Sequence, residues 1–114
     1  MRKIEKPWGY EQLWAHTDKY LGKFLTIMPG QRLSLQYHEK KEETVFVLKG
    51  SLIIWFSSNE EDKAIYHEGT TYHVEPRKVH RFGCPKDSES PTVLVEVSTS
   101  EIDDVIRLED DYKR

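Results

Sequence analysis

Sulfur chemistry is nearly absent from this chain. Its one cysteine, Cys84, leaves no partner for an internal disulfide, and a reducing compartment is the natural setting. Long apolar runs are missing as well. Nothing approaches the roughly 20 residues that a membrane-spanning helix needs, and the opening stretch MRKIEKPWGYEQ lacks the apolar segment of a signal peptide. Basic charge is scarce: the net charge is −3, with no clustered basic stripe to bind nucleic acid. A cytoplasmic protein that engages neither membrane nor nucleic acid is therefore expected. What remains is a globular composition, 37% hydrophobic and 32% charged over 114 residues, which suits one domain spanning 1–114 with one core.

The chain reads as many short β-type runs punctuated by turn residues. Strands are predicted over 10–15, 22–28, 32–38, 44–48, 51–57, 64–67, 71–74, 80–82 and 91–98. Between them lie Pro29-Gly30, Lys49-Gly50, Glu68-Gly69, an exposed hairpin tip SSNEED and the loop CPKDSESP. Even spacing of this kind points to an antiparallel sandwich or barrel. The only helical pattern falls over 101–108, where Ile102, Val105, Ile106 and Leu108 line one face.

The stretch QYHEKKEETVFVLKG at 36 to 50 carries the chemistry. Residues two apart in a strand share a face, so Arg32, Ser34, Gln36 and His38 form one polar file opposite Leu33, Leu35 and Tyr37. In the next strand Glu43, Val45 and Val47 share a face, with Phe46 and Leu48 on the other. Apolar residues on both sides predict a strand buried on both sides, with Glu43 at the mouth of an interior near Gln36 and His38. A buried carboxylate needs compensation, and a divalent cation supplies it. Histidine, carboxylate and amide oxygen make a ligand set without thiolate. Of the other four histidines, His80 has the best context, opening a run after the turn EPRKV.

These spacings resemble the two cupin motifs. In the first, Gly30, His38, Glu43 and Gly50 fall in register, with Gln36 in place of the first histidine. In the second, Gly69 and His80 are in register, while Glu75, Arg77 and Cys84 replace the usual Pro, Gly and Asn. The stretches KPWGYEQLW, RLSLQYH and DDVIRLEDDYKR are similar to the C-terminal cupin domain of the type II phosphomannose isomerase/mannose-1-phosphate guanylyltransferases. The resemblance implies an all-β, double-stranded β-helix (jelly-roll) barrel with a short C-terminal helical or extended segment. It implies a divalent metal (zinc, manganese, nickel or iron) held by Gln36, His38, Glu43 and His80, and isomerisation of a sugar or sugar phosphate resembling mannose 6-phosphate. It also implies a homodimer, for which Leu33/Leu35/Tyr37 or Trp55 offer apolar faces. The type II signature resembles Q-x-H-H-x-R-x-E-H-W; here Glu39, Lys41, Thr44 and Val45 replace its second His, Arg, third His and Trp. Those departures keep two alternatives open: a non-catalytic cupin that binds a sugar or other small ligand, and an Fe(II) oxygenase-type cupin.

Lys23, Arg32 and Arg81 are the basic residues expected to bind substrate, through a phosphate or sugar carboxylate. Arg32 and Glu96 are the candidate catalytic groups; Glu96 lies at opposite parity to Val93, Val95 and Val97 and faces either cavity or solvent. His16, His67 and His73 sit in no motif and are not expected as ligands. Cys84 reads as a small packing residue, and Trp8, Trp14 and Trp55 as core or interface aromatics.

Overall fold

The computed structural model describes residues 1–112; Lys113 and Arg114, the end of the quoted C-terminal stretch, lie outside the described residues. All regular structure within that range is β-strand. The strands are β1 (Arg2–Lys6), β2 (Gly9–His16), β3 (Leu21–Ile27), β4 (Leu35–Tyr37), β5 (Glu43–Lys49), β6 (Leu52–Trp55), β7 (Lys63–Tyr66), β8 (Thr71–Val74), β9 (Arg81–Gly83), β10 (Thr92–Ser98) and β11 (Ile106–Glu109). Every pairing is antiparallel. One layer is a six-stranded sheet in the order β1-β2-β3-β10-β5-β8. The other joins β7-β6-β9 to β11-β4 through the bridges Arg32↔Gly83 and Gln36↔His80. Leu25, Val45 and Leu94 of the first layer share one core with Leu52, Ile54 and Phe82 of the second. This is the jelly-roll barrel expected of the sequence. No helix of the described residues is long and apolar enough to cross a membrane.

The inner face of the large sheet changes character along the strands, and this creates the site. Across β3, β10 and β5, one row holds Leu25, Leu94 and Val47. The next holds Lys23, Glu96 and Val45, and the one beyond it Leu21, Ser98 and Glu43. All nine are buried. One end of the barrel is therefore filled with hydrocarbon, while the other is lined with charge. Strand parity puts Val93, Val95 and Val97 on the outer face, so Glu96 faces the cavity. On β10 the valines therefore do not mark the buried face, which carries Leu94 and Glu96.

Several expectations need correction. β5 is buried on one face only: Phe46 and Leu48 are 37% and 42% exposed. β-Branched and aromatic residues suit a pleated surface whether or not it is covered. The dimer faces inferred from the sequence are largely internal, since Leu33, Leu35 and Trp55 are all buried. The exposed apolar positions of the large sheet lie on its outer face instead, among them Trp14, Phe46, Leu48 and Val97. The helical reading of 101–108 fails; a turn at 102–103 leads into β11, which pairs with β4. Backbone pairing with an open edge outweighs a weak amphipathic pattern. The run predicted over 32–38 keeps only its middle as strand, with Arg32 in an isolated bridge. β1 was not foreseen because RKIEK is mostly charged. It forms a hairpin with β2 around Pro7-Trp8, with Lys6 opposite Gly9. Gly9 is obligatory there: at φ +151°, a Cβ would stand 1.9 Å from the Thr26 carbonyl oxygen.

Candidate metal centre

Three groups converge at the charged end of the barrel. His38 follows β4, Glu43 opens β5, and His80 precedes β9. The Nε2 atoms of His38 and His80 lie 3.6 and 3.3 Å from Oε1 of Glu43, and all three side chains are buried. Each imidazole is oriented by its other nitrogen. Nδ1 of His38 is 2.5 Å from the Asp104 carbonyl oxygen, and Nδ1 of His80 is 2.9 Å from that of Lys78. A carbonyl only accepts, so each Nδ1 carries the proton, and in the neutral ring each Nε2 presents a lone pair. Both Nε2 atoms are buried without a hydrogen-bond partner. Three acceptors therefore face one another with nothing donating between them, although a buried unsatisfied polar atom costs about 1–3 kcal/mol.

A cation resolves that conflict. Atoms 2.0–2.1 Å from a common tetrahedral centre lie about 3.3 Å apart, close to the two histidine–glutamate separations seen here. Histidine rings fixed through Nδ1 to carbonyl oxygens are the usual outer support of such a site. His38, Glu43 and His80 thus fit a divalent ion as ligands. Gln36 stands beside them: it and His80 are directly opposed in an antiparallel bridge, which directs their side chains to the same face. Its Oε1 has only a long contact, 3.4 Å, with the Ser34 hydroxyl.

The carboxylate is supported by a second buried network. Lys41 Nζ lies 3.3 Å from Oε2 of Glu43 and 3.0 Å from Oε2 of Glu96. Burial alone raises the pKa of Glu43, but the groups around it, the Lys41 ammonium among them, outweigh it and hold the carboxyl well below its usual range. Burial and the charge of Glu43 push Glu96 up to about 7, with Lys41 and Lys23 opposing. Lys23 is also buried and pairs with Glu11 at 3.0 Å. These groups border a cavity of about 270 Å³, whose lining also includes three further cations, Arg2, Lys6 and Arg107.

The structure brings Gln36, His38, Glu43, Lys23 and Glu96 to this cavity and sets His80 behind it. Arg32 and Arg81 are not among its lining. The regular alternation that placed Arg32 with Gln36 and His38 does not extend to residue 32, which lies outside β4. Arg32 lies over the Trp55 ring, paired with Asp111 and Glu60, at a separate cleft. Arg81 is buried, donating to the Leu33 carbonyl and to Asp111. Reading the sequence missed Lys41 as a site residue, treating it only as a departure from a signature. It also missed Glu11, Arg2 and Asp104, which no local spacing links to the site. His73 pairs with Glu42 at the surface, apart from the cluster. Cys84 is buried in the core, as its packing role requires.

Comparison with known proteins agrees with this architecture. The family described as mannose-6-phosphate isomerase C-terminal matches residues 1–110. Mannose-1-phosphate guanylyltransferase of Escherichia coli is 32% identical over 117 residues, covering 99% of this chain and 23% of that protein. The chain spans roughly a quarter of the length of the curated relatives it matches. A cupin-like protein of Thermotoga maritima superposes with a TM-score of 0.75 at 16% identity, covering 91% of this chain and 78% of that one. L-ribose isomerase of Cellulomonas parahominis gives 0.65 at 19% identity, covering 74% and 51%.

Proposed function

The chain belongs to the mannose-6-phosphate isomerase C-terminal family of cupins, and from that premise we propose that it is a divalent-metal-dependent aldose–ketose isomerase acting on a sugar or sugar phosphate. One observation carries the reading: two buried imidazole Nε2 lone pairs and a carboxylate oxygen converge with no donor between them, at the wall of a sugar-sized cavity. His38, Glu43 and His80 hold the metal, with Gln36 as the fourth ligand. Zinc, manganese, nickel or iron all suit nitrogen and oxygen donors.

Aldose–ketose interconversion moves a proton between adjacent carbons while negative charge builds on their oxygens. A divalent cation supplies Lewis-acid stabilisation of that charge. Glu96 is the proton carrier of this reading: its carboxyl faces the cavity, and Lys41 at 3.0 Å fixes its position. Lys23 and the rim cations Arg2, Lys6 and Arg107 bind the anionic end of a phosphorylated substrate. Arg32 and Arg81 have no part in this.

The test is isomerase assay of the metal-loaded protein on aldohexose and ketohexose phosphates. Turnover that disappears in Glu96→Gln, with metal retained, supports the reading. Metal-loaded protein that is stabilised by these sugars but turns none over favours a second reading, a sugar-binding cupin. The replacement of four signature residues at 39, 41, 44 and 45 is what speaks for it. Oxygen uptake by the iron form would instead favour an oxygenase, since two histidines and one carboxylate suit Fe(II) as well. The reading includes a homodimer joined through the outer face around Phe46 and Val97. Light scattering tests this, with Val97→Asp expected to give monomer.

A further inference from the structure

We propose that Asp104 is the positioning residue of the metal centre, acting on His38 and on the turn that links His38 to Glu43. The proposal rests on the reading of these residues as metal ligands. Asp104 belongs to the turn before β11 and is 66 residues from His38 in sequence. It makes two kinds of contact with the same short segment. Its main-chain carbonyl accepts from Nδ1 of His38 at 2.5 Å. Its carboxylate accepts from three successive backbone N–H groups, those of Glu39 (3.1 Å), Lys40 (2.7 Å) and Lys41 (2.9 Å). Consecutive N–H groups converging in this way form an anion-binding concavity, and here a side chain of the same protein fills it.

The consequence is geometric. The turn over 39–42 separates two ligands and carries Lys41, whose ammonium holds the outer oxygen of Glu43. With its N–H groups gathered on one carboxylate, that turn has a single conformation, and Oε1 of Glu43 faces the two rings. The same anchoring brings the Asp104 carbonyl to His38, which selects the Nδ1–H form and leaves Nε2 free toward the centre. Pairing of Ile106 and Arg107 with Tyr37 and Gln36 brings the segment that carries Asp104 to this turn, and the carboxylate then sets the carbonyl against His38. Thr99 adds a second tie, accepting from the Glu42 N–H through its hydroxyl and donating its own N–H to the Glu42 carbonyl. The C-terminal segment is thus part of the site's scaffold. His80 needs no such help, because its Nδ1 is satisfied within its own loop by Lys78. That asymmetry provides an internal control.

The experiment uses the full chain, metal-free, with ring nitrogens observed by long-range proton–nitrogen NMR at alkaline pH. In the wild type both rings are expected as the Nδ1–H tautomer. In Asp104→Ala, His38 is expected to become a mixture of tautomers while His80 stays unchanged. Zinc affinity, measured by competition with a chromophoric chelator, is expected to weaken by roughly 10- to 100-fold, the range for loss of an outer-sphere partner. Asp104→Asn keeps one acceptor oxygen and should fall between the two. It also serves as the deciding variant should Asp104→Ala lose its fold. A His38 ring that remains purely Nδ1–H in these variants, with unaltered zinc affinity, overturns the proposal. Wild-type protein that binds no zinc overturns the metal reading instead, and the tautomer of His38 then decides the positioning role alone.

Discussion

Gln36 and His80 face each other across an isolated antiparallel bridge, each N–H bonded to the other's carbonyl at 3.0 and 2.9 Å. The pairing seats an amide and an imidazole shoulder to shoulder although they are 44 positions apart in sequence. It also ranks them: His80 is fully buried and points its lone pair at Glu43, whereas Gln36 borders the open cavity. Gln36→Ala is expected to weaken zinc binding on the order of tenfold and His80→Ala to abolish it. Chelator competition on the two variants measures the difference.

Lys41 offsets two buried carboxylates at once. Lys41→Met leaves Glu43 and Glu96 without their shared cation, and removal of one partner from a buried ion cluster costs about 3–5 kcal/mol. Denaturant unfolding of the metal-free protein should show a loss of that size. The double variant Lys41→Met/Glu96→Met should recover part of it, because one of the two carboxylates left without the cation is then gone. A loss undiminished in the double variant would show that Lys41 acts by packing alone.

Asp111 ties the C-terminal segment to the barrel through Arg32 and Arg81. The Arg32 hydrogen bond holds its carboxyl below the ordinary value of 3.8. A carboxyl with a depressed folded pKa stabilises the fold above its unfolded pKa, and that contribution is lost as pH falls through the folded one. Asp111→Asn should therefore lower the melting temperature at neutral pH and flatten its decline below about pH 3.8. Melting curves of the two proteins over the acid range test this.

Arg77 stands where the second cupin motif has glycine, three residues before His80, and adopts φ +69°. Its N–H donates to the His38 carbonyl at 2.6 Å, which ties the turn before His80 to the end of β4. A left-handed non-glycine residue costs about 1–2 kcal/mol, and the greater freedom of glycine in the unfolded chain returns part of that. Arg77→Gly is expected to stabilise by about 0.5–1 kcal/mol without altering zinc affinity. The exposed pair with Glu39, at 3.5 Å, contributes little to lose. Chemical denaturation with and without zinc checks both parts.

Local periodicity and motif spacing made the candidate site and the barrel legible, because Gln36, His38 and Glu43 lie within one short stretch and His80 follows a recognisable turn. The parts that escaped depend on contacts distant in sequence. Asp104 meets the turn over 39–41 from more than 60 residues away, and only the pairing of β11 with β4 brings it there. Arg32 shared a sequence parity with the ligands, yet the strand carrying them begins at Leu35, and its guanidinium settles on Trp55 instead. Glu96 was ambiguous by pattern, since three outward valines imitate a buried face. The register with Lys23 and Val45 resolves it.

Binding of one divalent metal by His38, Glu43 and His80 is tested most directly by equilibrium zinc titration of the metal-stripped protein, followed by elemental analysis, beside the same titration of His80→Ala. One zinc per chain is expected in the wild type and none in the variant, with no comparable loss of secondary structure. Failure of the wild type to retain zinc, manganese, nickel or iron at stoichiometric level, or equal retention by His80→Ala, would contradict it.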